Sequence, residues 1–181
     1  MANYIPQPQV GFLEATKIAF KKSFTFTGRS RRSEYWWAVL AIAVISILFS
    51  WIPVVGSLLT LYLSIVSYAM EFRRLHDTGR SGWWAGANLI LGILGGIILL
   101  IGIFTAGISA SELAEDAEES TKLIANALVG TGIAYTVIGL LCWAASGIIA
   151  IICFIFTLLD STPEPNKYGE SPKYVSEDTE A

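Results

Sequence analysis

Long stretches without a charged side chain are the feature that most limits what this chain can fold into. The first runs from Trp36 to Met70, and another extends from Leu123 to Leu159. A helix needs about 20 consecutive apolar residues to cross the hydrocarbon core of a bilayer. Charged residues make up only 15% of the chain, whereas a soluble domain carries about 25%. The sequence therefore indicates an integral membrane protein.

The uncharged stretches predict four transmembrane helices in two hairpins. The first stretch is too long for one span, and Pro53 and Gly56 within it favour a tight turn over one continuous helix. The predicted spans cover about residues 35–52, 54–71, 83–107 and 127–159. The fourth is longer than one span requires, so we expect its first turns to extend beyond the outer surface. Two short re-entrant pieces are the alternative.

The fold class that follows is all-α: a polytopic membrane domain over residues 35–160, between a leader (residues 1–34) and a tail (residues 161–181). In the leader, Phe12, Phe20 and Phe24 recur at helical spacing. They predict an amphipathic helix in the inner membrane interface, with an ordinary cytosolic helix packed on the bundle as the alternative. The tail is rich in Pro, Ser and Glu, and we expect no fixed structure from Ser176 onward.

The loops carry very unequal charge. Of the 12 Lys and Arg residues, only Lys122 lies between the third and fourth spans, beside an acidic segment at residues 108–122. All the others precede the first span, follow the last, or lie between the second and third. Short loops rich in Lys and Arg stay on the cytoplasmic side. The distribution predicts that both termini are cytoplasmic and that the acidic segment is outside.

Small residues recur four positions apart in the second half of the chain. Gly92 and Gly96 lie on the third span, and Gly130, Ala134 and Gly139 lie on the fourth. In lipid, small residues let helix backbones approach closely, and this packing is what holds spans together. We therefore expect contact between the third and fourth spans; a seam between copies of the chain is the alternative.

A dense polar segment, residues 71–80, lies between the two hairpins and contains three arginines, the single histidine and an Asp-Thr-Gly sequence. Arginine binds phosphate or carboxylate groups through two parallel hydrogen bonds, and nearby indoles stack on guanidinium groups. The segment therefore predicts a site for an anionic ligand. The alternative is that the arginines anchor the chain in the membrane and pair internally with nearby acids, which are Glu34, Glu71, Asp77 and Asp160.

Three ordered sequence blocks resemble a known family. They are FTGRSRRSEYW at residues 26–36, FRRLHDTGRSGWW at residues 72–84, and Asp160 followed by PNKYG at residues 165–169 and Pro172-Lys173. Together they resemble the bacterial inner-membrane family called domain of unknown function eight-hundred-five, which includes the YhaH-like proteins. The resemblance implies a small multi-pass protein of the bacterial cytoplasmic membrane. The family has no established activity, so it implies no mechanism.

All three blocks lie on the predicted cytoplasmic side, and we expect them to converge into one site. In this hypothesis arginines hold an anionic lipid head group or another phosphate-bearing ligand, and tryptophans form the walls. Acidic side chains orient the arginines, and the tail closes the site. The candidate residues are Arg29, Arg32, Trp36, Arg73, Arg74, His76, Asp77, Arg80, Trp83, Trp84, Asp160, Asn166 and Tyr168.

The leading interpretation is a non-enzymatic binding or scaffolding protein whose partners are membrane lipids, with no cofactor, no metal and no nucleic acid. A small oligomeric transporter or channel component is an alternative, in which polar residues line a pathway; those residues are Ser64, Ser67, Tyr68 and Asn88. A lipid-acting enzyme is another, with His76 as the general base and Asp77 orienting it.

Overall fold

The computed structural model describes residues 3–112 and 118–177 of the chain. These residues form five helices and two short strands. In chain order they are β1 (Tyr4–Pro6), α1 (Phe12–Lys21), α2 (Arg32–Phe49), α3 (Pro53–Asp77), α4 (Trp83–Glu112), α5 (Glu119–Leu158) and β2 (Tyr174–Ser176). Helices α2 to α5 are long and apolar enough to cross a membrane. The all-α class with four long apolar helices is confirmed, while residues 113–117 of the acidic segment lie outside the described residues.

The break between α2 and α3 lies where proline and glycine predicted it. Pro53 opens α3, a position at which its missing N–H removes no helical hydrogen bond. Gly56 packs so closely on the end of α2 that an added Cβ would lie 2.4 Å from the Phe49 carbonyl oxygen. Only glycine fits this approach, so the two residues together specify the hairpin.

Helices α3, α4 and α5 are all longer than the spans expected from hydropathy, and α3 and α5 exceed them most. Helix α3 continues to Asp77, so the polar segment forms its last two turns and the sharp turn comes only at Gly79, which has φ of 75°. Helix α5 is one continuous helix of 40 residues, about 60 Å long and roughly twice the thickness of the hydrocarbon core. The alternative of two short re-entrant pieces is therefore wrong.

The described residues divide into two compact units, one within Met1–Ala85 and Ile152–Ala181 and the other formed by Gly86–Ile151. In the first unit, α1 packs on α2 and α3 through the buried residues Ala15 and Ala19. The apolar side chains of Leu13 and Phe24 remain exposed. Helix α1 thus packs on the other helices, which is what the alternative of a helix packed on the bundle expected. Its location in the membrane interface stays a prediction.

The leader and the tail of the first unit join in a small antiparallel sheet that the sequence did not predict. Strand β1 pairs with β2, with Tyr4 opposite Ser176. The backbone N–H of Gln7 also donates to the Lys173 carbonyl oxygen at 2.7 Å. The expectation that Ser176 lacks fixed structure is wrong, because pairing with β1 supplies the hydrogen bonds that an isolated strand would lack. Residues 178–181 lie outside the described chain.

The second unit is a helical hairpin with close glycine contacts, so the predicted contact of the third and fourth spans is confirmed, although Gly130 of the predicted pattern has open space around it. An added Cβ at Gly139 on α5 would lie 2.7 Å from the Leu99 backbone nitrogen on α4, and one at Gly132 would lie 2.6 Å from that of Ala106. Ser146 adds a hydrogen bond of 2.6 Å to the side-chain carbonyl oxygen of Asn88. The small residues thus bring α4 and α5 into close contact.

Candidate functional site

Asp77, at the C-terminal end of α3, is the centre of a buried polar network. One carboxylate oxygen accepts a hydrogen bond of 3.0 Å from Nε of Arg29, in the leader. The other accepts bonds of 2.5 Å from Nη1 of Arg74 and from the hydroxyl of Ser161, in the tail. Asp77 and Arg74 are fully buried. A single carboxylate therefore ties together three segments that are distant in sequence.

The rest of the Arg29 guanidinium is occupied by backbone carbonyl oxygens of the tail. Nη2 donates to the Thr162 carbonyl at 2.6 Å, and Nη1 donates to those of Glu164 and Gly169 at 3.0 and 3.2 Å. Nη2 also lies 3.3 Å from the Asp77 carbonyl oxygen. Arg29 has no donor group left for a ligand, and its role is to hold the tail against the end of α3.

Arg74 uses its remaining donors in the same way at the end of α5. Nε donates to the Thr157 carbonyl at 3.2 Å, Nη2 donates to that of Leu159, and Nη1 reaches that of Ser30 at 3.3 Å. The last carbonyl groups of a helix have no intrahelical partner and carry partial negative charge. Arg74 therefore caps α5, and it holds the cap in place through Asp77.

Arg73 joins the end of α1 to α3. Nη1 donates to the carbonyl oxygens of Lys22 and Thr25 at 2.8 and 2.5 Å, and Nη2 contacts the Met70 sulfur at 2.7 Å. The side chain is buried. Arg29, Arg73 and Arg74 are thus all engaged by the protein itself. Of the acids expected to pair with them, Asp77 binds Arg29 and Arg74, whereas Glu34, Glu71 and Asp160 form no ion pair with these arginines in the described chain.

His76 and the tail residues Asn166 and Tyr168 come together, as the sequence hypothesis expected. The Tyr168 ring stacks on the His76 imidazole with 3.8 Å between ring centres. Asn166 donates its side-chain amide to the His76 carbonyl at 2.9 Å. Nδ1 of His76 lies 3.1 Å from the carbonyl oxygen of Gly28. This contact covers one face of the imidazole with an aromatic ring and closes the tail over α3.

The remaining members of the middle block do not join the Asp77 network. The Arg80 guanidinium lies over the Phe156 ring, 3.8 Å from its centre. The Trp84 indole meets the same ring edge-on at 6.0 Å. Trp83 is largely exposed. Arg80 and Trp84 thus form a cluster around Phe156, separate from the site in which the sequence hypothesis placed them, and Trp83 makes no ring contact there with the described residues.

A cavity of about 540 Å³ lies beside the N-terminus of α2, and we call it the α2 cavity. Three of the candidate residues line it: Arg32, Trp36 and Asp160. Its full lining is Pro6, Gln7, Gln9, Arg31, Arg32, Ser33, Trp36, Trp37, Asp160 and Lys173. The two glutamines were missed in the sequence because only the pairing of β1 with β2 brings the leader to this position. Lys173 lies in the third sequence block, and this position could have identified it as a candidate residue from the sequence.

The α2 cavity combines an unpaired cation with free donors. Arg32 is exposed and makes no hydrogen bond or ion pair with any residue that the structure describes. It opens α2, and the preceding Arg31 gives that helix no side-chain cap. The first N–H groups of a helix lack intrahelical acceptors and favour anions. The Ser33 hydroxyl and the Trp36 indole nitrogen are buried and have no hydrogen-bond partner in the described chain.

The other charged groups around the α2 cavity are bonded within the protein. Arg31 donates to the carbonyl oxygens of Pro8 and Gln7 at 2.7 and 3.1 Å. Lys173 forms an ion pair with Asp160. This hydrogen bond from Lys173 lowers the pKa of the Asp160 carboxyl and raises the pKa of the Lys173 ammonium. Both groups are charged at neutral pH and offset each other, so Arg31 and Arg32 leave the cavity positive.

Comparison with known proteins agrees with a membrane location. The family described as "Protein of unknown function (DUF805)" matches residues 23–170. Inner membrane protein YhaI of Escherichia coli (strain K12) is 36% identical over 94 residues, which cover 48% of this chain and 79% of the relative. Inner membrane protein YhaH of the same strain is 35% identical over 88 residues, which cover 42% and 72%. No solved structure matches the chain.

Proposed function

This chain belongs to the DUF805 family of unknown function, as its three blocks indicated, and for this member we propose, from the geometry of its own residues, that the α2 cavity binds the head group of an anionic phospholipid. The chain is an integral inner-membrane protein, like its relatives YhaI and YhaH. The proposal goes further, assigning the chain a non-enzymatic function of lipid binding. It also places both termini, and with them the cavity, on the cytoplasmic side.

Arg32 is the observation that carries this proposal. Arg29, Arg73 and Arg74 are buried and bonded to Asp77 or to carbonyl groups, and Arg80 lies over the Phe156 ring. The Arg32 guanidinium, in contrast, is exposed and faces no described acceptor. It stands at an uncapped helix N-terminus, where backbone N–H groups add to its attraction for a phosphate. A phosphate oxygen there would also provide an acceptor for the buried hydroxyl of Ser33.

The surroundings of the α2 cavity favour a lipid over free phosphate. Trp36 and Trp37 line it, and indole side chains prefer the head-group level of a membrane. From Trp37, the exposed residues Leu40, Val44 and Ile47 follow at helical spacing along α2. With the phosphate beside Arg32, acyl chains would lie along this apolar face.

Native mass spectrometry of the gently solubilised protein tests the proposal, with phosphatidylglycerol vesicles as the lipid source. We expect wild type to retain phosphatidylglycerol and Arg32→Gln to retain about tenfold less, because hydrogen bonds to charged groups contribute about 1.5–3 kcal/mol. Lys17→Gln is the matched control, since Lys17 is exposed on α1 and does not line the cavity. Equal retention by both variants would refute the proposal. Binding of inorganic phosphate alone, lost in Arg32→Gln, would show that the lipid assignment is wrong.

The transporter alternative has one observation in its favour. Three of the four polar residues that it requires, Ser64, Ser67 and Tyr68, line one cleft between α2 and α3. The fourth, Asn88, belongs to the α4–α5 hairpin, where it accepts a hydrogen bond from Ser146. Oligomer formation also stays a proposal. Gly130 of α5 leaves room for a second copy of the chain, because a Cβ added there would have open space around it.

The enzyme alternative is less well supported. It requires the Asp77 carboxylate to orient His76, but both Asp77 oxygens are already bonded to Arg29, Arg74 and Ser161. The imidazole nitrogen Nδ1 is instead directed to the carbonyl oxygen of Gly28. Neither residue lines the α2 cavity, so a lipid bound there would not meet the base.

A further inference from the structure

A second cavity, of about 320 Å³, lies between α2 and α3 and shares no residue with the α2 cavity. We call it the hydroxyl cleft. From α3 it takes a polar stripe at helical spacing, made of Thr60, Ser64, Ser67, Tyr68 and Glu71. Leu63 of the same helix and two residues of α2, Ile42 and Ser46, complete the lining. Glu71 is the acidic member of this stripe, and acidic side chains on a membrane-spanning helix are rare and indicate a functional site.

Glu71 lies at one end of the hydroxyl cleft without a counter-ion. The three ion pairs among the described residues do not include it, and no hydrogen-bond donor in that part of the chain reaches its carboxylate. The neighbouring Arg73 and Arg74 are turned to other partners, the former to backbone carbonyls and the latter to Asp77. A half-buried carboxylate without a partner is unfavourable, and a bound cation would relieve this cost.

The other polar groups of the hydroxyl cleft are oxygens. Ser64 donates its hydroxyl proton to the Thr60 carbonyl at 2.8 Å, which leaves its lone pairs free. The hydroxyls of Ser46, Ser67 and Tyr68 make no hydrogen bond with any described residue. No Lys, Arg, His, Asn, Gln or Trp side chain lines the cleft. Hydroxyl and carboxylate oxygens accept hydrogen bonds, so the lining favours a ligand with several donors and a positive charge.

We propose that the hydroxyl cleft binds a small primary alkylammonium ion. The Glu71 carboxylate is its counter-ion, and the oxygens of Ser46, Ser67 and Tyr68 accept hydrogen bonds from its N–H groups. A single water occupies about 30 Å³, so the cleft is too large for a bare ion, and it falls in the size range of small-molecule sites, which begins at about 300 Å³. Ile42 and Leu63 supply an apolar wall for the alkyl chain.

Equilibrium binding of radiolabelled butylammonium to the purified full-length protein tests this site. We expect saturable binding by wild type and at least about tenfold weaker binding by Glu71→Gln, because a charge-assisted hydrogen bond is replaced by a neutral one. The matched control is Glu14→Gln, since Glu14 is an exposed acid on α1. Unchanged affinity in Glu71→Gln would overturn the proposal. Competition by an equal concentration of sodium ions would overturn it too, because the site would then be one for a metal ion.

A second pair of variants decides the matter if Glu71→Gln does not fold, as judged by size-exclusion chromatography. Ser67→Ala removes one acceptor from the hydroxyl cleft, and we expect binding about tenfold weaker, since a hydrogen bond to a charged group is lost. Ser57→Ala leaves the cleft intact, because Ser57 lies on the same helix but does not line it, and should bind as wild type does. Equal binding by the two serine variants would overturn the proposal. Arg32→Gln should leave butylammonium binding unchanged, so this test is independent of the lipid proposal.

Discussion

Replacing Asp77 with asparagine should strongly destabilise the first unit of the chain. The substitution keeps the shape of the side chain but removes the charge shared by Arg29 and Arg74, whose side chains are 1% and 0% exposed. Breaking a buried ion pair by removing one partner costs about 3–5 kcal/mol, since the remaining charge is left buried. The backbone carbonyls that also bind both arginines, and the hydrogen bond to Ser161, remain. We therefore expect the loss to lie near the lower end of that range.

The matched control is Asp160→Asn, because Asp160 is also an ion-paired aspartate but its side chain is 56% exposed. Exposed ion pairs contribute about 0–1 kcal/mol. Thermal unfolding of the detergent-solubilised protein, followed by tryptophan fluorescence, should show a Tm about 6–12 °C lower for Asp77→Asn, at about 2–4 °C per kcal/mol for a chain of this size. The control should change by a degree or two. Equal shifts for the two variants would refute the claim that Asp77 holds three segments together.

Three further predictions concern other parts of the chain. Gly139→Ala should lower the stability of the α4–α5 hairpin by about 1–3 kcal/mol through overpacking, because the added Cβ would lie 2.7 Å from the Leu99 backbone. Gly147→Ala is the control in the same unfolding assay, because there is open space around Gly147. Since ion pairing lowers the pKa of Asp160 below 3.8 and raises that of Lys173 above 10.5, the ion pair between these two residues should persist across neutral pH. The ion pair should weaken as pH falls through the lowered pKa of Asp160 or rises through the raised pKa of Lys173. Limited proteolysis of the tail as a function of pH would detect this weakening, and an identical pH profile in Asp160→Asn would contradict the prediction. The orientation can be tested in cells with single cysteines on a background lacking Cys142 and Cys153. A cysteine at position 118 should react with an impermeant thiol reagent added outside, and a cysteine at position 78 should not. The reverse pattern would show that the proposed orientation is wrong.

The helices could be predicted from the sequence because their causes are local. An uncharged stretch of sufficient length specifies a span wherever it occurs, and Pro53 with Gly56 specifies the break within the first stretch. The glycines of α4 and α5 predicted a contact for the same reason, since a residue without a side chain allows close approach from any neighbour. The boundaries were less accurate. Helix α3 runs on to Asp77 because the leader and the tail supply partners for Arg73, Arg74 and Asp77 in its last turns, which hydropathy does not consider.

The candidate site was predicted only in part. The sequence indicated that Arg29, Asp77 and the tail would come together, and they do. It could not indicate that Arg29 and Arg74 are saturated by carbonyl groups of Thr157, Leu159 and the tail, because every residue carries the same carbonyl and its position depends on the fold. Nor could it separate Arg32 from its neighbour Arg31, whose guanidinium is bonded to the leader. Two adjacent arginines therefore have different surroundings.

The sequence by itself determined that this chain is a helical membrane protein, how many spans it has, and to which family it belongs. These properties follow from hydropathy, helix-breaking residues and short motifs, each read within a few turns of chain. Only the tertiary structure decided which charges are used internally and which remain for a ligand. That difference depends on long-range contacts, such as those of Asp77 with the leader and the tail, and on the absence of a described partner for Arg32 and Glu71. The burial and pairing of a charged side chain depend on residues that are distant in sequence and come together only in the folded protein, so no local sequence pattern specifies them.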